Sequence, residues 1–215
     1  MNKQKIKENK EDWLETWEMY KAIVLTESED ERKEREELEK LEKESEGEAP
    51  GFDGVTISEF DLDPMVGEIR LLSHNITGET MFPVYMLVIH HVDGEYMITP
   101  FGFLTIPATP GELGEIEDFE DDDRLQVLCT WNTRIVPKEI LEQSWLISNG
   151  FLEISRKVHG HFRSLIRGLP FDHEISDQIG PPVEGKNDPT LEYQEFWKQQ
   201  LSKLDDVCLN FPRNE

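Results

Sequence analysis

The stretch that most constrains the fold is residues 84–103. Residues 84–91 read VYMLVIHH, a long run of strand formers; Asp93-Gly94 follows, and residues 96–103 (YMITPFGF) resume the extended pattern. Asp-Gly between two such runs is a two-residue hairpin signal. A run apolar at successive positions, rather than at alternate ones, belongs in the middle of a sheet that is covered on both faces. The hairpin therefore needs strand neighbours, and the sequence offers residues 68–72 (EIRLL, after Gly67), 125–131 (LQVLCTW) and 145–154. Residues 137–143 open with Pro and read as a short helix.

Both flanks have a different texture. Residues 1–50 hold seventeen acids and ten bases, with Trp13, Trp17, Tyr20 and Val24 recurring at i, i+4, i+7 and i+11. That spacing puts the four on one face of a helix spanning about residues 10–25. Residues 27–46 carry Leu38 and Leu41 amid interleaved Glu, Lys and Arg, which reads as a solvated linker helix held by i,i+4 pairs. Residues 47–54 (GEAPGFDG) break it. Past residue 154, Val158, Phe162, Leu165 and Ile166 fall at helical spacing, and residues 168–189 are loop-like in Gly, Pro and Asp. Asp188-Pro189 starts a last helix bearing Leu191, Phe196, Trp197, Leu201 and Leu204. The expectation is an α+β chain in three parts: residues 1–50 helical and charged, 51–154 a compact antiparallel β domain, 155–215 helices and loop.

Charge narrows the partners. The 215 residues carry 46 Asp+Glu against 22 Lys+Arg, a formal net charge of −24. Sequence-independent binding of nucleic acid or of an anionic membrane needs a basic surface, so neither is expected. No apolar run reaches the roughly 18–20 residues of a membrane span, and no apolar segment follows the basic first ten residues as a secretory signal would. A cytoplasmic protein is expected, with Cys129 and Cys208 as reduced thiols.

In order, Gly67-Glu68-Ile69-Arg70-Leu71-Leu72, Pro83-Val84-Tyr85-Met86-Leu87-Val88-Ile89 and Tyr96-Met97-Ile98-Thr99-Pro100-Phe101 resemble the strands of the PemK/MazF toxin family. Residues 127–141 (VLCTWNTRIVPKEIL) are similar to that family's following strand and helix. The resemblance covers about 90 of the 215 residues. It implies a small SH3-like antiparallel β-barrel, here flanked by N- and C-terminal helices. The family's members are ribonucleases that use an Arg before the Pro-Val strand and a Ser/Thr closing the Pro-Ile-Thr strand. Phe82 and Gly102 stand at those positions here. Metal-free RNA cleavage needs a cation at the developing phosphorane charge, which Phe cannot supply. Residues 51–132 also hold sixteen acids against Arg70 and Arg124 alone. No catalytic residue is assigned.

Residues 112–123 (ELGEIEDFEDDD) hold eight acids and no base; they lack the alternating frame of a calcium loop and read as a solvated loop or a contact for a basic partner. His90 and His91 fall on opposite faces of a strand, and His159 and His161 about 200° apart on a helix, so neither pair chelates a metal. Cys129 lies in an apolar run, where a thiol is inert. The aromatics are the better lead: the Trp13, Trp17 and Tyr20 face packs on the barrel or is offered to a partner, as does Trp131 with Arg134.

The reading is a non-catalytic acidic regulator or adaptor acting by protein–protein contact, with no cofactor and no metal. Its candidate contact residues are Trp13, Trp17, Tyr20, Glu117, Asp118, Asp121, Asp122, Asp123, Trp131 and Arg134. The strings Thr109-Pro110-Gly111-Glu112-Leu113 and Leu128-Cys129-Thr130-Trp131-Asn132, with the amphipathic N-terminal helix, resemble bacterial accessory proteins. More narrowly, they resemble the small accessory protein of type III-E CRISPR loci, which pair an RNA-guided protease with a cleavable regulator and a sigma factor. That likeness implies a partner with a basic surface, a sigma factor or its regulator, in antiviral signalling. The alternatives are a divergent toxin-like endoribonuclease using Arg70 and Arg134, and a nucleic-acid-mimicking inhibitor that blocks a basic groove with residues 112–123.

Overall fold

The Asp93-Gly94 dipeptide makes the expected turn. Both residues have positive φ, 51° and 83°, as a type I′ turn requires. It joins β2 (Tyr85–Val92) to β3 (Glu95–Pro100), with Val92 opposite Glu95 and Val88 opposite Ile98. The coordinates are a computed structural model that describes residues 3–24, 64–78, 80, 83–114, 123–172 and 175–210. On the other side of β2 lies β1 (Ile69–Leu71), and beyond it β7 (Trp145–Ser148); β6 (Arg134–Pro137) pairs with β3. The sheet order is β6-β3-β2-β1-β7, antiparallel throughout. A separate two-stranded ribbon joins β4 (Glu112–Leu113) to β5 (Leu128–Cys129). Among the described residues β6 and β7 do not pair, so the sheet is open.

Central position explains the composition of β2. Tyr85, Leu87 and Ile89 pack under Ile154 and Val158 of α4 (Leu152–Arg167). Met86 and Val88 pack on the opposite face, against Trp197 of α5 (Pro189–Gln200) and Leu204 of α6 (Ser202–Asn210), with Leu201 at the join. A helix α1 (Lys3–Val24) lies over a third cluster that holds Trp13, Trp17, Leu104, Ala108 and Tyr193. Two short helices, α2 (His74–Thr77) and α3 (Lys138–Glu142), complete the described elements together with 3₁₀ turns at Asp123–Leu125 and Thr130–Asn132.

The expected α+β chain with terminal helices is the one observed. Three boundaries differ. Residues 125–131, read as one strand, pair only at Leu128–Cys129, because the Thr130 hydroxyl donates to Gly111 O and the Thr133 hydroxyl to Thr130 O, turning the chain. The helix read over residues 137–143 spans Lys138–Glu142, and Pro137 instead ends the edge strand β6 (Arg134–Pro137). Residues 145–154, read as a strand, leave the sheet after Ser148: Gly150 has φ 98°, and the Phe151 N–H donates to Gly67 O at 3.0 Å, which starts α4. A Cβ on Gly67 would lie 2.8 Å from the Leu152 backbone nitrogen, so this close crossing needs glycine.

Candidate functional site

Arg70, one of the two guanidiniums a ribonuclease reading needs, sits on β1 and is 4% exposed. Its Nε donates to Glu68 Oε2 at 2.7 Å, and one terminal nitrogen donates to Leu141 O at 2.9 Å, in the last turn of α3. The other, Arg134, donates from Nε to Asp205 Oδ1 at 2.7 Å and from a terminal nitrogen to Asp205 Oδ2 at 3.1 Å; its remaining contacts are to Asn132. Both cations are thus neutralised within the fold. The Arg134–Asp205 pair is bidentate, which holds that arginine in one geometry, while burial encloses the single Arg70–Glu68 contact.

Gly102 opens onto a buried polar cluster. A Cβ there would meet Cys129 Sγ at 3.1 Å, the Tyr193 hydroxyl at 3.3 Å and Val127 at 3.7 Å. Behind them is Glu112, fully buried on β4. The sharp turn before it is fixed by Thr109 O, which accepts from the N–H groups of Glu112 (3.0 Å) and Gly180 (3.1 Å). Gly111 is needed because its Cβ would press to 2.9 Å from that of Trp131. The carboxyl accepts from Ala108 N–H at Oε2 (2.6 Å) and from the Trp131 indole N–H at Oε1 (2.9 Å); the Cys129 thiol lies 3.6 Å from Oε1.

Burial pushes the Glu112 carboxyl up from its ordinary value, against the pull of these donors and of the Tyr193 hydroxyl. Burial also pushes the Cys129 thiol well up, with the neighbouring Glu112 charge adding to the shift, and it does the same to the Tyr193 phenol. A nucleophilic cysteine needs an electropositive, accessible setting that lowers its pKa. Cys129 has the reverse. The cluster is a polar staple that fastens the residue 108–112 turn to β5, Trp131 and α5.

The aromatic face of α1 closes over this staple. Trp13 and Trp17 meet the Tyr193 ring edge-on at 5.7 and 5.5 Å, and Tyr20 lies 4.8 Å from Phe103. Ion pairs pin both ends of the contact. Lys10 donates to Asp188 at 2.9 Å and Glu184 at 3.2 Å, and Lys21 to Glu192 at 3.1 Å. Asp188 is also the N-cap of α5, accepting from Thr190 N–H at 3.0 Å. Although burial opposes it, these donors hold the Asp188 carboxyl well below the usual carboxylate range.

Trp13 and Trp17 are 0% and 1% exposed. This corrects their reading as anchors offered to a partner: the face is covered by the chain's own Tyr193, Phe103 and Phe196. Tyr20, half-buried, joins the same cluster. Trp131 is half-buried, with its indole N–H engaged by Glu112 and its ring 6.0 Å beneath the Lys198 ammonium, so it and Arg134 serve internal contacts. Glu117, Asp118, Asp121 and Asp122, with Phe82, lie outside the described residues, and of the Asp123 side chain nothing is described.

His90 stacks on His159 at 4.5 Å and His91 on Tyr96 at 4.3 Å. His161 is buried and ties α4 to the Glu112 turn: Nε2 donates to Pro110 O at 2.9 Å, and Nδ1 lies 3.1 Å from Thr130 Oγ1. Among the described residues, no three His, Cys, Asp or Glu side chains are grouped to hold a metal ion. Cys129 and Cys208 are free thiols, and among the described residues no helix is long and apolar enough to cross a membrane. The buried role of Glu112 was missed because it opens an acidic run; the signal was the preceding Thr-Pro-Gly turn, followed by Leu113. Compared with known proteins, the chain matches no family model, no curated protein and no solved structure.

Proposed function

We propose that the chain is a non-catalytic adaptor of the bacterial cytoplasm, working by protein–protein contact through an acidic surface. The observation that carries this reading is where the reactive and cationic groups lie. Glu112, Cys129 and Tyr193 are fully enclosed, and Arg70 and Arg134 are paired inside the fold. Asp12, Glu15 and Glu18 meanwhile remain exposed on the outer side of α1. In this reading the sheet is the scaffold of a PemK/MazF-like, SH3-like barrel without that family's catalytic Arg and Thr. The likeness to type III-E CRISPR accessory proteins makes a sigma factor or its regulator the first partner to test.

Long-range attraction speeds association and is screened within about 8 Å at physiological ionic strength. With the partner immobilised, raising salt to about 0.5 M slows association several-fold and leaves dissociation nearly unchanged, and Glu15→Lys with Glu18→Lys has the same effect at low salt. An association rate indifferent to both refutes the acidic-surface reading. Cleavage of mixed RNA that depends on Arg70 or Arg134 refutes the non-catalytic one.

A further inference from the structure

Within this strongly acidic chain, α4 carries four bases against one acid: Arg156, Lys157, Arg163 and Arg167 against Glu153. Arg156, Gly160, Arg163 and Arg167 recur at i, i+4, i+7 and i+11, one face of the helix. All four are exposed, while Ile154, Ser155, Val158 and His161 on the other side are buried. Among the described residues, no hydrogen bond or ion pair engages these three guanidiniums, in contrast to Arg70 and Arg134. Leu152 and Ile166, 43% and 63% exposed, flank the stripe.

Gly160 sits mid-helix, where glycine weakens the helix, and nothing lies within 4 Å of the Cβ it lacks. Among the described residues, no packing asks for glycine there. What its absent side chain leaves is a shallow saddle between arginines, where another backbone can approach closely.

We propose that this face of α4 is a docking surface for an acidic amphipathic helix of a partner protein. Charge complementarity selects the sign, because planar guanidinium forks are matched to carboxylates. Spacing selects the shape: the stripe runs about 16 Å along the axis, with its arginines one and two turns apart, the repeat of carboxylates on a facing helix. The exposed Leu152 and Ile166 need apolar partners that a helix supplies and a phosphate backbone does not. A nucleic acid would also run past the stripe, carrying a charge every 1.7 Å or so, onto a surface that repels it. A second copy of this chain would bring another −24 to the contact.

The inference deepens the adaptor reading by adding a second surface of opposite sign, and it rests on that reading for why two surfaces exist. The test uses the full chain and fluorescence anisotropy. The probe is a labelled, alanine-based helical peptide of about 18 residues, with Glu at i, i+4, i+7 and i+11 and Leu at the flanking positions. The Glu peptide binds; the same peptide with Lys for Glu does not. Arg163→Glu with Arg167→Glu weakens binding at least tenfold (about 1.4 kcal/mol), and Gly160→Leu weakens it by blocking approach although it melts no lower than the parent. Glu15→Lys with Glu18→Lys leaves peptide binding intact, so failure of the α1 surface and failure of this one are distinguishable. Three outcomes overturn the proposal: affinity that ignores the charge reversals, oligouridylate binding in preference to the Glu peptide, or self-association in sedimentation that Arg163→Glu abolishes.

Discussion

Replacing Trp17 by Ala should loosen α1 rather than unfold the protein, and the structure sets the scale. The ring is 1% exposed and lies 5.5 to 6.3 Å, centre to centre, from Tyr20, Phe103, Tyr193 and Phe196. Truncating such a side chain costs about 3–5 kcal/mol. Trp13, 0% exposed against the Tyr193 ring, is a second anchor of similar size, Lys10 reaches the buried Asp188, and the Lys21–Glu192 pair at the solvent edge adds about 0–1 kcal/mol. The buried indole nitrogens of Trp13 and Trp17 have no acceptor among the described residues, and each orphan costs about 1–3 kcal/mol. Losing Trp17 therefore removes about half of the aromatic anchoring of α1, leaving Trp13 to hold it, while both faces of β2 keep their packing. Hydrogen exchange of residues 10–22 should accelerate by about two to three orders of magnitude, with core strands unchanged. In a Cys208→Ser background, Cys129 should begin to react with a thiol reagent as the cover over Tyr193 lifts. Trp17→Phe keeps a ring and deletes the orphan N–H, so it should fall within about 1 kcal/mol of the parent. If Trp17→Ala leaves α1 protected and Cys129 inert, the account of what seals the staple is wrong.

Glu112→Gln tests the raised carboxyl pKa. In the fold the proton is held above the ordinary value near 4.5, so ionisation costs stability as pH rises from there through the folded pKa. The variant lacks that slope, and its stability relative to the parent should improve with pH across that window in urea titrations; parallel curves would refute the shift. Arg70→Met strands the buried Glu68 carboxylate and should cost about 3–5 kcal/mol, whereas adding Glu68→Leu should recover much of it. Equal costs in single and double variants would show that the pair is not coupled. Gly160→Ala should raise stability by about 0.5–1 kcal/mol, since the added methyl meets nothing; a lower melting temperature would show that the face is not open.

How much of this was legible depended on whether a signal was local. The β2–β3 hairpin was, because Asp93-Gly94 dictates its own φ angles and the apolar run beside it dictates burial on both faces. The Asp188-Pro189 helix start was legible for the same reason: the cap and the first turn are neighbours in sequence. Edge strand β6 was not. Its four residues Arg-Ile-Val-Pro have no pattern of their own, and they are a strand because Tyr96 and Ile98 present an open edge to them. The division of Trp13 and Trp17 between core and interface was also beyond the sequence. The i, i+4 spacing places both on one face, but what covers that face lies about 180 residues away, at Tyr193 and Phe196.

Charge misled in a more instructive way. A net −24 and an uninterrupted acidic run focus attention on carboxylates as surface groups. Yet Glu112, first in that run, is the most enclosed acid at the site, and Glu68 is equally buried beneath its arginine. The surplus of acid also hides how the cations divide. Arg70 and Arg134 are held by Glu68 and Asp205, leaving their charge little reach into solvent. The three arginines on the outer face of α4 have no such partners among the described residues. Their i, i+7, i+11 spacing was readable from the sequence, but its meaning was not, because only the fold decides which guanidiniums are neutralised. In a chain of this sign, an arginine left without a carboxylate is better evidence of a contact surface than another exposed acid, since carboxylates are abundant among the described residues and none of them pairs with it.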